Sequence, residues 1–152
     1  MSTYETASLA ISVVVGIAAV AALVVYSAQL IAMRKASMAQ GAIALVGFLQ
    51  DKDVREARRV VRGLDGKEIA EWTEGERLSA SLVAANYDVA AALLRGGLAP
   101  GDLIAANWGP SITHCHEVLK PFIAETRQQH GGHPGYWSNF DWLSAAANQD
   151  QA

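Results

Sequence analysis

The sequence has one cysteine and only four prolines in 152 residues. A single thiol excludes any disulfide within the chain, so folding needs no oxidising compartment. Basic charge is not in surplus: 12 Lys and Arg against 15 Asp and Glu leave a formal net charge of -3. That balance excludes a general nucleic-acid binder, which must displace counterions from phosphates with cationic side chains. There is no glycine-rich phosphate loop, no G-x-S-x-G elbow, no H-E-x-x-H and no C-x-x-C. Paired carboxylates on one face are missing as well, so no residue pattern asks for catalysis, a cofactor or a small-molecule substrate. Strand-like alternation, an Asn-Gly hairpin and any repeat of 20 to 50 residues are also absent. The expected class is therefore all-α and the expected function non-enzymatic.

Aromatic residues make up 7% and charged residues 18%, yet 51% of the chain is hydrophobic. The skew comes from one stretch, ASLAISVVVGIAAVAALVVYSAQLIAM, in which no charge occurs between Glu5 and Arg34. Crossing about 30 Å of hydrocarbon takes roughly 20 apolar residues as a helix. We expect a short tail over 1–7 and a transmembrane helix over 8–33. A cleaved signal peptide would place basic residues before a shorter apolar core, whereas MSTYET carries only an acid. Arg34 and Lys35 after the span, against Glu5 before it, place the C-terminal side in the cytoplasm and the N-terminus outside. Tyr4 and Tyr26 fall near the two interfaces, where amphipathic rings are favoured. Ser8, Ser12 and Gly16, with Ala19 on the same face, form a small-residue stripe against which a second transmembrane helix can pack.

The uncharged ASMAQGAIALVGFLQ is short for a second span. Over 34–50 we expect a juxtamembrane extension of the first helix that buries Ile43, Val46 or Leu45, and Leu49; a hairpin re-entering the bilayer is the alternative. A compact cytoplasmic multi-helix domain is expected over 51–147, then a tail over 148–152. Asp53 is the expected N-cap of DVREARRVVRGLDG. Helical spacing places Val54, Ala57, Val61 and Leu64 on one face and Arg55, Arg58, Arg59 and Arg62 on the other. Those four guanidinium groups form a candidate contact for anionic lipid or a partner, unless Glu56, Asp65, Glu68, Glu71, Glu74 and Glu76 neutralise them as surface pairs. Thr73 and Glu76 make a capping box opening EGERLSASLVAANYDVAAALLRGG, which Gly96-Gly97 ends. Its expected core residues are Leu78, Leu82 or Val83, Ala85, Val89 and Leu93, with Asn86 and Asp88 in capping or surface hydrogen bonds. Pro100 suits the start of a short helix, PGDLIAANW. Gly109-Pro110 is expected to break it before SITHCHEVLKPFIAETRQQ, which Pro121 should kink or break.

Every histidine and the one cysteine fall in HCHEVLKPFIAETRQQHGGH. On a helix His114 and His116 project roughly 200° apart at about 100° per residue, so they do not chelate one ion. His130 and His133 in the HGGHPG turn make two ligands, a poor site without a carboxylate such as Glu125. Cys115 reads as a small buried thiol, because its neighbours in sequence do not face it on a helix. GYWSNFDWLSAAANQ gathers aromatic residues: Trp137, Phe140 and Trp142 either seal the core or offer a partner patch.

LKPFIAETR and NFDWL, with DVREARRVV after a single N-terminal span, resemble a family of small bacterial single-span membrane proteins of unknown function. The resemblance covers most of residues 35–145 and implies a single span with a compact helical cytoplasmic domain and a bacterial origin. It brings no catalytic residues, and the four histidines lie outside its motifs. The expectation is a membrane-anchored interaction module, an accessory or structural subunit of a larger bacterial membrane complex. Its partners would be the lipid bilayer and other membrane subunits or copies of itself. The alternatives are a homo-oligomeric scaffold, or a membrane-tethered metal-dependent sensor or enzyme using the 114–133 cluster.

Overall fold

A computed structural model describes residues 3–129, 133 and 135–149. The described residues form five α-helices and a 3₁₀ turn with no strand, so the chain is all-α. They divide into two compact units, Met1–Ser37 and Met38–Ala152. Helix α1 runs from Thr3 to Leu49 without a break and so contributes to both.

In the first unit α1 is the only element, and Ser8 and all residues from 12 to 37 are exposed. The helix is long and apolar enough to cross a membrane. Two of its serines are satisfied locally: the Ser12 hydroxyl donates to the Ser8 carbonyl at 2.9 Å and that of Ser27 to the Leu23 carbonyl at 2.8 Å. Such back-bonding lets serine sit in an apolar helix without an orphaned donor. Tyr26 is exposed; the side chain of Tyr4 lies outside the described residues.

The second unit packs the last turns of α1 with α2 (Lys52–Arg62), the 3₁₀ turn Ile69–Glu71, α3 (Glu74–Arg95), α4 (Gly101–Gln129) and α5 (Ser138–Gln149). At the end of α1 the buried stripe is Leu45 and Leu49 with Ala42 beside them. Ile43, expected inside, is 73% exposed because it points away from that i, i+4 row. The cap of α2 is Asp51, not Asp53: its carboxylate accepts from the backbone N–H groups of Asp53 and Val54 at 2.9 and 3.4 Å. Val54, Ala57, Val61 and Leu64 are buried as the spacing predicts.

The start of α3 is the expected capping box, with Glu76 N–H donating to the Thr73 hydroxyl and the Glu76 carboxylate accepting from Thr73 N–H. Lys67 also reaches that carboxylate at 2.9 Å, and this contact leads the capping bonds in holding the Glu76 carboxyl below its ordinary range. The inward face of α3 differs from expectation. Ala80, Val83, Ala84, Tyr87, Ala90, Ala91 and Leu94 are buried, whereas Leu78, Leu82 and Val89 are exposed. Both sets repeat at helical spacing; the alanine face wins because small side chains let α2, α4 and α5 approach closely, with Tyr87 filling the space between them.

Helix α4 is continuous through Pro110 and Pro121, so neither the expected break nor a second helix start occurs. A proline inside a helix costs about 3 kcal/mol. Both prolines are exposed, on the side where a curved helix has its longest hydrogen bonds. The opposite side buries Ile104, Ile112, Cys115, Leu119 and Ile123. At about 1.5–3 kcal/mol for each large apolar side chain, that burial outweighs the two lost bonds. Asp88 of α3 caps α5 from across the domain, accepting from Phe140 N–H at 3.1 Å and Asn139 Nδ2 at 3.3 Å.

Candidate functional site

Arg58 breaks the division of α2 into an apolar and a basic face. It is 5% exposed, whereas Arg55, Arg59 and Arg62 are exposed. Its Nη2 donates to the Leu49 carbonyl at 2.6 Å, satisfying one of the free carbonyls at the end of α1. The guanidinium carbon stands 5.9 Å from the Tyr87 ring centroid, within cation–π range. Its other terminal nitrogen, Nη1, is buried and without a hydrogen-bond partner.

Arg62, one turn on, donates from Nη2 to the Ser111 hydroxyl of α4 at 3.0 Å, and that hydroxyl lies 3.0 Å from the Tyr87 hydroxyl. Arg55, Arg58 and Arg62 thereby line one cleft of about 340 Å³ together with Gln50, Asn107, Trp108 and Ser111. No carboxylate is among these lining residues. Of the acidic residues expected to neutralise α2, Glu76 pairs with Lys67, and Glu56, Asp65, Glu68, Glu71 and Glu74 are exposed. None of the ion pairs among the described residues includes an α2 arginine. Arg59 is exposed and is not part of the cleft. Beneath the cleft lies Cys115, fully buried; burial pushes its thiol up despite the favourable charges of Arg62 and Arg58. Burial likewise raises the Tyr87 phenol. Neither is poised to ionise near neutrality.

A second feature lies along the exposed side of α3. Leu78, Leu82 and Val89 are 66%, 41% and 47% exposed, and Phe48 at the end of α1 is 39% exposed. A groove of about 420 Å³ joins Phe48, Leu82 and Val89, lined also by Gly47, Asp51, Val54, Ala85 and Asn86, and Leu78 lies one turn before Leu82 on α3. Among the described residues nothing covers this apolar strip.

The aromatic residues divide. Trp137 and Phe140, expected either to seal the core or to join Trp142 in a partner patch, are 8% and 0% exposed and belong to the core, so the patch does not include them. Phe140 stacks on Tyr87 at 5.1 Å and meets the His116 ring edge-on at 5.0 Å. Trp137 precedes α5 and holds a left-handed φ of 56° while its ring stacks on Phe122 at 6.0 Å. Packing holds that strained backbone in place. Trp142 alone of the three is exposed, at 41%, beneath the Arg95 guanidinium at 5.6 Å.

The histidines are scattered. His116 is buried and bonds to Asp141 at 2.9 Å; Arg127 approaches the other oxygen of that carboxylate at 2.6 Å. Burial would raise the Asp141 carboxyl, but the His116 and Arg127 hydrogen bonds outweigh it and hold the group below its ordinary value. His114 is half-buried and His133 exposed; His130 lies outside the described residues. No three His, Cys, Asp or Glu side chains converge among the described residues. In the first unit Ser8, Ser12, Gly16 and Ala19 are all exposed, and a side chain added at Gly16 would meet nothing within 4 Å.

A family model described as a domain of unknown function, DUF4760, matches residues 7–146. The chain belongs to that family. The DUF4760 match begins within the apolar part of α1 and ends in α5, so the apolar helix is part of the domain the family shares. It also takes in the histidine segment that the LKPFI and NFDWL motifs by themselves leave aside. No curated protein and no solved structure matches the chain.

Proposed function

We propose that this DUF4760 protein is a membrane-anchored interaction module, an accessory or structural subunit of a larger bacterial membrane complex, without a reaction of its own. The apolar strip formed by Phe48, Leu78, Leu82 and Val89 carries the reading. Large side chains that could have been placed in the core are left outside it beside a groove, while alanines occupy the interior. Contiguous exposed apolar surface in a folded domain marks a place where another surface docks. In this reading the apolar part of α1 stays in the inner membrane, N-terminus outside and helical domain in the cytoplasm. The Arg34–Lys35 pair supports that orientation. The inclusion of the apolar helix in the family's domain favours a retained anchor over a removed leader. The Ser8, Ser12, Gly16 and Ala19 stripe supplies a second contact, inside the bilayer, for a partner's helix.

The test is extraction of the native protein from its own membranes in mild detergent, followed by sizing and mass spectrometry. The proposal expects a second protein in fixed ratio, lost with Leu82→Asp and kept with Ala145→Asp, which changes an exposed position on α5. Migration as a multiple of its own mass would replace the accessory subunit with the homo-oligomeric scaffold. A monomer in both variants and in the wild type would overturn both.

A further inference from the structure

We propose that the cleft between α2 and α4 binds a phosphate group through Arg55, Arg58 and Arg62. The argument starts from Arg58, a permanently charged side chain that is 5% exposed. Burying an ion is unfavourable unless its charge and all its donors are met. The Leu49 carbonyl and the Tyr87 ring face meet part of that demand, but Nη1 remains buried without an acceptor. No carboxylate lines the cleft among the described residues, so none of them supplies a counter-charge there.

The neighbouring residues increase the demand. Arg55 and Arg62 stand three residues before and four after Arg58, which sets all three along one side of α2 at spacings where like charges repel. Three cations facing one cleft make sense when an anion neutralises them together. A phosphate suits the set better than a carboxylate, since its several oxygens accept from more than one planar guanidinium fork at once. Ser111 adds a hydroxyl already oriented by Arg62 and Tyr87, and Gln50 an amide side chain, to the same wall. A space of about 340 Å³ admits the phosphate and part of whatever it is attached to. The same chemistry belongs to a soluble phosphorylated compound and to the headgroup of an anionic phospholipid. This inference is independent of the partner reading, because the apolar strip is lined by a different set of residues.

The test uses the full chain in two settings. In zwitterionic micelles it is titrated with inorganic phosphate, with chloride at matched ionic strength as the reference, and followed by thermal unfolding and by the fluorescence of Trp108 in the cleft wall. In nanodiscs it is compared in phosphatidylcholine with and without phosphatidylglycerol. A ligand that binds only the folded state raises the unfolding temperature, and above its dissociation constant the stabilisation grows with the logarithm of its concentration. Phosphate-specific stabilisation in micelles assigns the site to a soluble source; stabilisation by phosphatidylglycerol alone assigns it to lipid. In either case Arg55→Gln with Arg62→Gln should weaken the response at least about tenfold, the scale of losing charge-assisted hydrogen bonds. Arg59→Gln should leave it unchanged. These variants retain Arg58 and its bond to Leu49, but the double variant gives up the Arg62–Ser111 bond, so an unliganded unfolding temperature close to that of the wild type is what separates loss of binding from loss of the fold. Equal responses to phosphate and chloride with no lipid effect, or an Arg59→Gln loss as large as that of the double variant, would overturn the site.

Discussion

Gly41 provides the sharpest test of the packing, because two elementary effects oppose each other there. It lies inside α1, where alanine is favoured over glycine by about 0.8–1 kcal/mol. Local propensity therefore predicts that Gly41→Ala stabilises the protein. The tertiary structure predicts the opposite: a Cβ at Gly41 runs into the Leu98 carbonyl oxygen, well inside van der Waals contact. The obstacle is backbone, held by donation of the Leu98 N–H to the Leu93 carbonyl at 3.1 Å, and cannot swing aside as a flexible side chain would. Overpacking of a tight contact costs about 1–3 kcal/mol, and a rigid obstacle belongs at the upper end. Subtracting the propensity gain leaves a net loss of about 2 kcal/mol. Gly47→Ala is the control six residues along the same helix, where an added Cβ meets nothing within 4 Å. It should stabilise by about 0.5–1 kcal/mol. Chemical unfolding of the full chain in micelles, followed by tryptophan fluorescence, reads this out, since all four tryptophans lie in the second unit. If Gly41→Ala proved as stable as Gly47→Ala, the close approach of α1 to Leu98 would be refuted.

Phe140→Ala should cost about 3–5 kcal/mol by opening a cavity between Tyr87 and His116, whereas Trp142→Ala should cost about 1 kcal/mol or less; comparable unfolding midpoints would contradict the burial assigned to the two rings. Removing the cap of α5 with Asp88→Ala should cost about 1–2 kcal/mol, and amide exchange should quicken first at Phe140 and its neighbours. Asp141 has a depressed folded-state pKa, so its contribution is fully present above the ordinary carboxylate value and is lost as pH falls through the lower folded value. Acid unfolding of Asp141→Asn should therefore depend less on pH over that interval, and an unchanged acid profile would show that the His116–Asp141–Arg127 contact does not contribute. Every one of these measurements uses the same fluorescence or exchange readout on the full chain.

The features legible from residues alone are those decided within about one helical turn. The Thr73 and Glu76 capping box, the stop at Gly96-Gly97, the buried face of α2 and the length of the uncharged run in α1 all depend on neighbours three or four positions away. The misreadings have the opposite character. The α3 sequence offers a Leu and Val face and an Ala face with the same period, and nothing local says that closely approaching neighbours will prefer the smaller one. Pro110 and Pro121 satisfy the local rule for a break, yet α4 continues because its far side is buried against elements distant in the chain. An Arg at position 58 looks like any exposed cation of an amphipathic helix until the Leu49 carbonyl, the Tyr87 ring and Ser111 are brought around it from α1, α3 and α4. The same holds for Trp137 and Phe140, whose aromatic clustering is visible in the chain but whose burial depends on Tyr87, His116 and Phe122. Helix type and the ends marked by the Thr73–Glu76 box and by Gly96-Gly97 are set by short-range hydrogen bonding and follow from the order of residues, whereas α5 takes its cap from Asp88 of α3 and α4 runs on through its two prolines. Which faces turn inward, and hence where a buried arginine is left with an unmatched donor, follows from burial against distant partners and emerged only from the assembled domain.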